Sequence, residues 1–394
     1  MCLTKAEGGM GFKIIYAYNL AMLAKQGWRV LSKPHSLIAQ IFKARYYPHS
    51  SFLEAELGEA PSFSWRSIMQ GRKVLKADLQ WKIGDGKNGV IWNDKWLPLS
   101  TPEFIQKPVD CTLTRVNELI NEHTREWHSN VITATFPPYI AAKIMCIPLS
   151  RKTTSDRLIW FPEKKGMFSV KTAYWIARNQ VLSEVLTTTS CGNPFSVLWK
   201  KLWAAKVPGK VKKNTIKPIA VENSTLTVKK VWKPASNGNM ILNVDTAFLP
   251  NQHREGIGGV LRDAAGNFIA AFTRSISHTA SPKQCELLAI REGMDMLYSL
   301  QTCNVQIHSE CQEAVAEVKT PDYELLANGG IVDDIRLVQQ KLMNVCLKHT
   351  PRTCNIIAHR LAAIAFKDNL TCTWLDYPPD CITDILQIEI ERLH

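Results

Sequence analysis

The sequence predicts an α/β fold at the C-terminus: a mixed five-stranded sheet flanked by helices, preceded by a basic α+β region. Three observations predict it. From Met240 onward, stretches of strand and helix periodicity follow one another as three strands, helix, strand, helices, strand, helix. Before that point, amphipathic helices alternate with Gly-punctuated blocks in no such order. The charge divides at the same place. Residues 236–394 carry 13 Lys+Arg against 19 Asp+Glu, net −6, while residues 1–235 carry 35 against 16, net +19. At 394 residues the chain is long for a single core, so two or three domains are expected.

Composition excludes several classes. Hydrophobic residues make up 45% and charged residues 21%, which is globular and not disordered composition. No apolar stretch reaches the roughly 18 residues that a membrane-spanning helix needs. Met1 to Glu7 lacks the apolar core of a secretory signal. The 11 cysteines form no C-x-x-C pair and read as reduced thiols of an intracellular protein, nuclear or cytoplasmic. No Cys/His cluster has zinc-ligand spacing, so no structural zinc is expected.

Ala17, Leu20, Ala21, Leu23, Ala24, Trp28 and Leu31 recur at helical spacing, and a second helix is expected over Ser36 to Tyr46. The block Trp81 to Pro98 alternates around Gly84-Asp85-Gly86, as short strands around turns do. That Gly-Asp-Gly reads as a turn and not a phosphate cradle, because no helix start follows it. Asp156–Trp160 and Gly166–Lys171 look like two strands, followed by a helix from Thr172. Between Leu198 and Lys213, tryptophans interleave with Lys200, Lys201, Lys206, Lys210, Lys212 and Lys213. That pattern suits contact with a nucleic-acid backbone, and equally suits a helix with buried indoles and solvated lysines. Residues 214–238 have no periodic pattern and are taken as a linker. The domains expected are 1–100, 101–213, 239–367 and a tail, 368–394.

In the C-terminal part, Met240–Asp245 is the first strand, and 256–262 with 267–275 complete a meander. Ser281-Pro282 starts a helix that runs to about Leu300. Val305–His308 is the fourth strand, followed by helices at 311–319 and 333–343. Val345–Lys348 is the fifth strand, and 355–366 the last helix. This order gives Asp245, Glu286 and Glu310 a common address at strand ends and a helix start. Carboxylates brought that close are tolerable when a divalent cation neutralises them. Hard oxygen ligands select Mg²⁺ or Mn²⁺. From spacing alone, the same residues also read as caps or surface charges.

Five ordered blocks add a resemblance. They are Leu242-Asn243-Val244-Asp245-Thr246-Ala247-Phe248, Gly256 to Asp263, Cys285-Glu286-Leu287-Leu288-Ala289-Ile290-Arg291-Glu292-Gly293, His308-Ser309-Glu310-Cys311, and His349 to Ala362. Together they resemble the type 1 ribonuclease H domain in the form carried by plant non-LTR retroelements. Gly8–Pro98 looks like the segment after the reverse transcriptase of such elements, and Asp156–Lys213 like the start of their zinc-binding region. Polymerase motifs and the later zinc ligands are missing, so the chain looks like a truncated element-derived protein.

The resemblance implies an RNA–DNA hybrid as partner and hydrolysis of its RNA strand with Mg²⁺ or Mn²⁺ held by Asp245, Glu286 and Glu310. Asn355 matches the family's Asn and is placed among the nucleic-acid contacts. His349 falls where a mobile histidine assists proton transfer or product release. Two positions depart from the pattern. Glu310 replaces an Asp and displaces a ligand by roughly an angstrom, and His359 replaces the fourth carboxylate. These departures leave two other readings open: a catalytically impaired nucleic-acid-binding remnant, or a relic with protein interactions only.

Overall fold

The computed structural model describes residues 13–98, 105–109, 111–186, 231–235, 238–248, 254–321 and 323–391. They group into two compact units, Met1–Leu79 with Ile159–Thr227, and Gln80–Leu158 with Val228–His394. Elements of the first half run α1 (Ile15–Ser32), α2 (Leu37–Tyr46), α3 (Phe63–Asp78), β1 (Leu79–Lys82), α4 (Ser129–Thr135), α5 (Pro138–Met145), β2 (Arg157–Trp160) and α6 (Val170–Leu186).

In the first unit, α1 buries the face that its spacing predicts: Ala17, Leu20, Ala21 and Ala24. Ser36 and Ser62 cap α2 and α3 by accepting the amides of Ala39 and Trp65 at 3.4 and 3.2 Å. Trp65 is fully buried, with Tyr46 stacked on it at 4.6 Å between ring centroids. Gly71 of α3 meets the backbone of Ala24, where a Cβ would collide. The expected strand Gly166–Lys171 does not form. Gly166 takes φ 66°, its carbonyl accepts the Trp160 amide at 2.8 Å, and the chain enters α6 at Val170.

In the second unit, residues 83–149 build a core of their own around Ile91, Trp92, Trp96, Leu119, Ile132 and Ile144. Val90–Pro98 is turn and not strand; Val90 makes only an isolated bridge to Arg115. The Gly84–Gly89 loop closes around Asp156, whose Oδ1 accepts the amides of Gly84 and Gly86 at 2.7 and 2.8 Å. Its Oδ2 accepts those of Asn88 and Gly89 at 2.8 and 3.3 Å. An internal carboxylate therefore fills the loop.

The same unit carries β3 (Met240–Ala247), β4 (Arg254–Arg262), β5 (Phe268–Ser277), α7 (Pro282–Ser299), β6 (Val305–Ser309), α8 (Gln312–Lys319), α9 (Gly329–Lys341), β7 (Val345–His349), α10 (Ile356–Asp368), β8 (Cys372–Leu375) and α11 (Asp380–Glu391). The sheet has six strands in the order β7-β6-β3-β4-β5-β8, not five. β3, β6 and β7 run parallel, and β4, β5 and β8 add antiparallel partners. The expected tail is thus structured, with β8 as an edge strand and α11 burying Ile382, Ile385 and Leu386.

Alternation along β3 sends its residues to opposite faces. Leu242 and Val244 meet α7 at Gly293, while Ile241 shares the opposite side with Trp232 and Cys354. Gly256 and Gly258 of β4 lie against the backbone of α10, where side chains would collide. Ser150 Oγ donates to Asp334 at 2.8 Å, and Arg151 pairs with Glu292 at 2.6 Å, which ties the 80–158 segment to α7 and α9. Among the described residues, no helix is long and apolar enough to cross a membrane.

Candidate metal centre

β3 and β6 lie side by side and parallel, so both deliver their C-terminal ends to one edge of the sheet. Asp245 is near the end of β3, and Glu310 follows directly after β6. Glu286 comes from the first turns of α7, whose start is set by Ser281 accepting the Gln284 amide at 3.2 Å. The three carboxylates offer ligand atoms all within 4.8 Å of one another. Glu286 is oriented from both sides: Thr246 Oγ1 donates to its Oε1 at 3.1 Å, and Ser309 Oγ to its Oε2 at 2.9 Å.

Burial makes this cluster unfavourable without a counter-charge. Desolvation, and then the charge of Glu310, push the Asp245 pKa up to about 7. Desolvation and the charge of Asp245 push Glu286 up to about 8. Asp245 Oδ1 and Glu310 Oε2 are buried with no hydrogen-bond partner. Two orphaned oxygens beside a third carboxylate are a donor set of the hard, anionic kind that a divalent cation takes. The residues fit such an ion.

The other oxygen of Asp245 is engaged, since His359 Nδ1 lies 2.8 Å from Oδ2. Arg352 Nη2 lies 3.1 Å from His359 Nε2, and its Nε lies 3.9 Å from Glu310 Oε2. Burial and the charge of Arg352 lower the His359 pKa. His349 ends β7 as the register partner of Ser309 and is exposed. Asn355 is buried rather than facing outward. Its Nδ2 donates to the Val244 carbonyl at 2.9 Å, and its Oδ1 accepts from Asn243 at 3.0 Å. Both ends of that amide are engaged in holding β3. Lys200, Lys201, Lys206, Lys210, Lys212 and Lys213 lie outside the described residues.

Four participants escaped the sequence reading. Arg352 lay inside a matched block without a role, and Thr246 and Ser309 are hydroxyls adjacent to the metal carboxylates in sequence or space. The fourth is a buried network behind the site. Arg262 pairs with Glu389 of α11 at 2.5 Å, donates to Asn243 Oδ1 at 2.9 Å and lies 3.4 Å from the Trp232 ring centroid. Helical spacing of Ile382, Ile385, Leu386 and Glu389 was the signal available for it.

The mixed sheet of six strands flanked by helices is a ribonuclease H-like α/β fold. Residues 243–365 match the family described as reverse transcriptase-like. The uncharacterized mitochondrial protein AtMg00310 of Arabidopsis thaliana is 42% identical over 103 residues, 26% of this chain and 67% of that protein. The chain belongs to the family of that protein. A second Arabidopsis thaliana protein, the provisionally named ribonuclease H protein At1g65750, is 29% identical over 220 residues, or 54% of this chain. The chain spans about a third, 34%, of that relative's length. Among solved structures, ribonuclease H1 of Halobacterium salinarum NRC-1 is 21% identical, covering 33% of this chain and 99% of that one, with a TM-score of 0.30.

Proposed function

We propose that this chain binds RNA–DNA hybrids and hydrolyses their RNA strand with Mg²⁺ or Mn²⁺ held by Asp245, Glu286 and Glu310. One observation carries the reading: two buried carboxylate oxygens without hydrogen-bond partners belong to a group of three carboxylates whose ligand atoms lie within 4.8 Å of one another. A bound divalent ion would supply Lewis acidity and a lowered pKa for an attacking water. In the hydrolysis, the water oxygen bonds to phosphorus and the P–O bond to the neighbouring ribose breaks. The departing oxygen then takes a proton. The residues of this chain prepare the place. Ser309 and Thr246 fix the rotamer of Glu286, Asn355 fixes the backbone carrying Asp245, and His359 holds Asp245 by one oxygen. Exposed His349 stands two strands from Asp245, suited to protonating a departing group. A hybrid is distinguished from either pure duplex by groove shape and 2′-hydroxyls, not by base sequence. The lysine-rich stretch 200–213 adds sequence-independent affinity.

A second reading has its own observation. His359 occupies an oxygen of Asp245, which suits a domain that binds hybrid and cleaves it slowly or not at all. Incubating the full chain with a labelled hybrid, with Mg²⁺ and separately with Mn²⁺, tests the first reading. Cleavage abolished by Asp245→Asn is expected. A folded chain that binds hybrid without cutting it in either metal establishes the second reading instead.

A further inference from the structure

Resting on that function, we propose that the site takes one divalent ion instead of two, and that the Arg352 guanidinium supplies the second positive charge to a phosphate of the substrate. Two catalytic ions sit about 3.5–4 Å apart and need a carboxylate that lends one oxygen to each. Asp245 is placed between the other acids and His359, and its two oxygens are not equivalent. Oδ1 is buried and open, whereas Oδ2 meets His359 Nδ1 at 2.8 Å.

The proton positions follow from the chain of contacts. A guanidinium can only donate, so the His359 Nε2 that lies 3.1 Å from Arg352 Nη2 must accept. The neutral ring then carries its hydrogen on Nδ1, directed at Asp245 Oδ2. An N–H in that place repels a cation, and Asp245 cannot bridge two ions without losing the bond. Asp245 Oδ1 and Glu310 Oε2 have no hydrogen-bond partner, and the three carboxylates offer one ligand atom each within 4.8 Å of one another, which suits a single ion.

The charge missing from that second location is present in another form. Arg352 lies between His359 and Glu310, and 67% of its side chain is exposed. A guanidinium has five donors and keeps its charge at every relevant pH. One contact to His359 leaves most of its donors for an incoming phosphate, with which the planar fork pairs two at a time. His359 therefore orients Arg352 as well as Asp245. The two departures of this sequence from a set of four carboxylates become one device: a histidine excludes the second ion, and an arginine replaces it.

Counting Mn²⁺ on the full chain tests this, with ions scored as the difference from Asp245→Asn. One ion is expected for the chain as it stands and two for His359→Asp. Arg352→Ala should still bind one ion but lose fivefold or more of its affinity for a hybrid made uncleavable by 2′-O-methylation. The measurement is made in Mn²⁺ at salt high enough to suppress the lysine-rich stretch, and Arg352→Lys should recover part of the loss. Two ions on the unaltered chain, or unchanged hybrid affinity in Arg352→Ala, would overturn the inference and leave the hybrid function standing. No ion that depends on Asp245 would remove both.

Discussion

Asn243 and Asp245 are two residues apart on one strand and point to the same face, yet they belong to opposite kinds of buried charge. Around Asn243 the charges cancel. Arg262 and Glu389 are 2% and 5% exposed and pair at 2.5 Å, with Trp232 covering the guanidinium. Around Asp245 they do not cancel, because three carboxylates share one Arg352, which lies 3.9 Å from Glu310. A compensated cluster specifies structure. An uncompensated one persists only because the rest of the fold holds it, and it has an unmet demand for a cation. The same strand therefore separates a site of stability from a site of chemistry within two residues.

Breaking the compensated cluster should have the largest effect. Burial pulls the Arg262 pKa down to about 10, and Glu389 opposes that fall. Glu389→Ala would strand a buried guanidinium, at a cost of about 3–5 kcal/mol. Urea unfolding of the full chain should show that loss. Replacing Arg262 and Glu389 together with Met and Leu should recover most of it, since no charge is then left unpaired. A loss below about 1 kcal/mol for Glu389→Ala would mean that α11 is peripheral.

Relieving the uncompensated cluster should act in the opposite direction. Asp245 and Glu286 have ordinary values of 3.8 and 4.5 and titrate at about 7 and about 8 in the fold. Between roughly pH 4 and pH 8 the native state thus binds more protons than the unfolded chain. Stability without metal must therefore fall as pH rises through that window. Asp245→Asn should stabilise the metal-free protein by on the order of 3 kcal/mol at pH 8, and by less at pH 5. Mg²⁺ should raise the melting temperature of the unaltered chain more at pH 8 than at pH 6, where it must first displace protons. Thermal unfolding at the two pH values, with and without Mg²⁺, checks both signs. Equal shifts at both would show that the ion binds elsewhere.

The difference between the clusters also explains what the sequence made legible. Strand periodicity and the Ser281-Pro282 helix start gave Asp245, Glu286 and Glu310 a common address, but spacing alone also allowed caps or surface charges, and the resemblance of the five blocks singled them out. The partners of Arg262 were not readable. Glu389 lies 127 residues away, on a helix that follows the last recognised block, where helical spacing marks a buried face but not which residue pairs with Arg262. The structural role of Asn355 was hidden for a related reason. Its position next to the site was evident, but its commitment to Val244 and Asn243 depends on how α10 packs on β3. The strand expected at Gly166–Lys171 failed because Gly166 adopts positive φ, so the chain turns where alternation alone suggested a hairpin arm.

Rebuilding the acidic cluster toward four carboxylates tests the chemistry directly. Glu310→Asp with His359→Asp should raise hybrid cleavage by tenfold or more, equivalent to about 1.4 kcal/mol of transition-state stabilisation. The rate should climb only in the double variant and in His359→Asp, because His359 is the group that occupies Asp245 Oδ2. Equal rates with and without the changes would mean that the histidine-arginine arrangement is as competent as four carboxylates.

The smallest expected effect separates orientation from charge. Ser309 Oγ donates to Glu286 Oε2 at 2.9 Å and accepts the Cys311 amide at 3.1 Å, with the residue 1% exposed. Ser309→Ala removes one donor to a buried anion and leaves the net charge of the cluster unchanged. That bond lowers the Glu286 pKa against desolvation, so its loss must raise the pKa further. Two consequences have opposite dependence on pH. Above pH 8, where Glu286 ionises, the variant should lose about 1 kcal/mol, because the carboxylate has lost its hydroxyl partner. At pH 5 Glu286 is protonated, and the loss should shrink. Mn²⁺ binding in the variant should need a higher pH to reach the same affinity, with no change in the number of ions. A pH-independent loss would assign Ser309 to packing alone, and a change in ion number would make it part of the donor set.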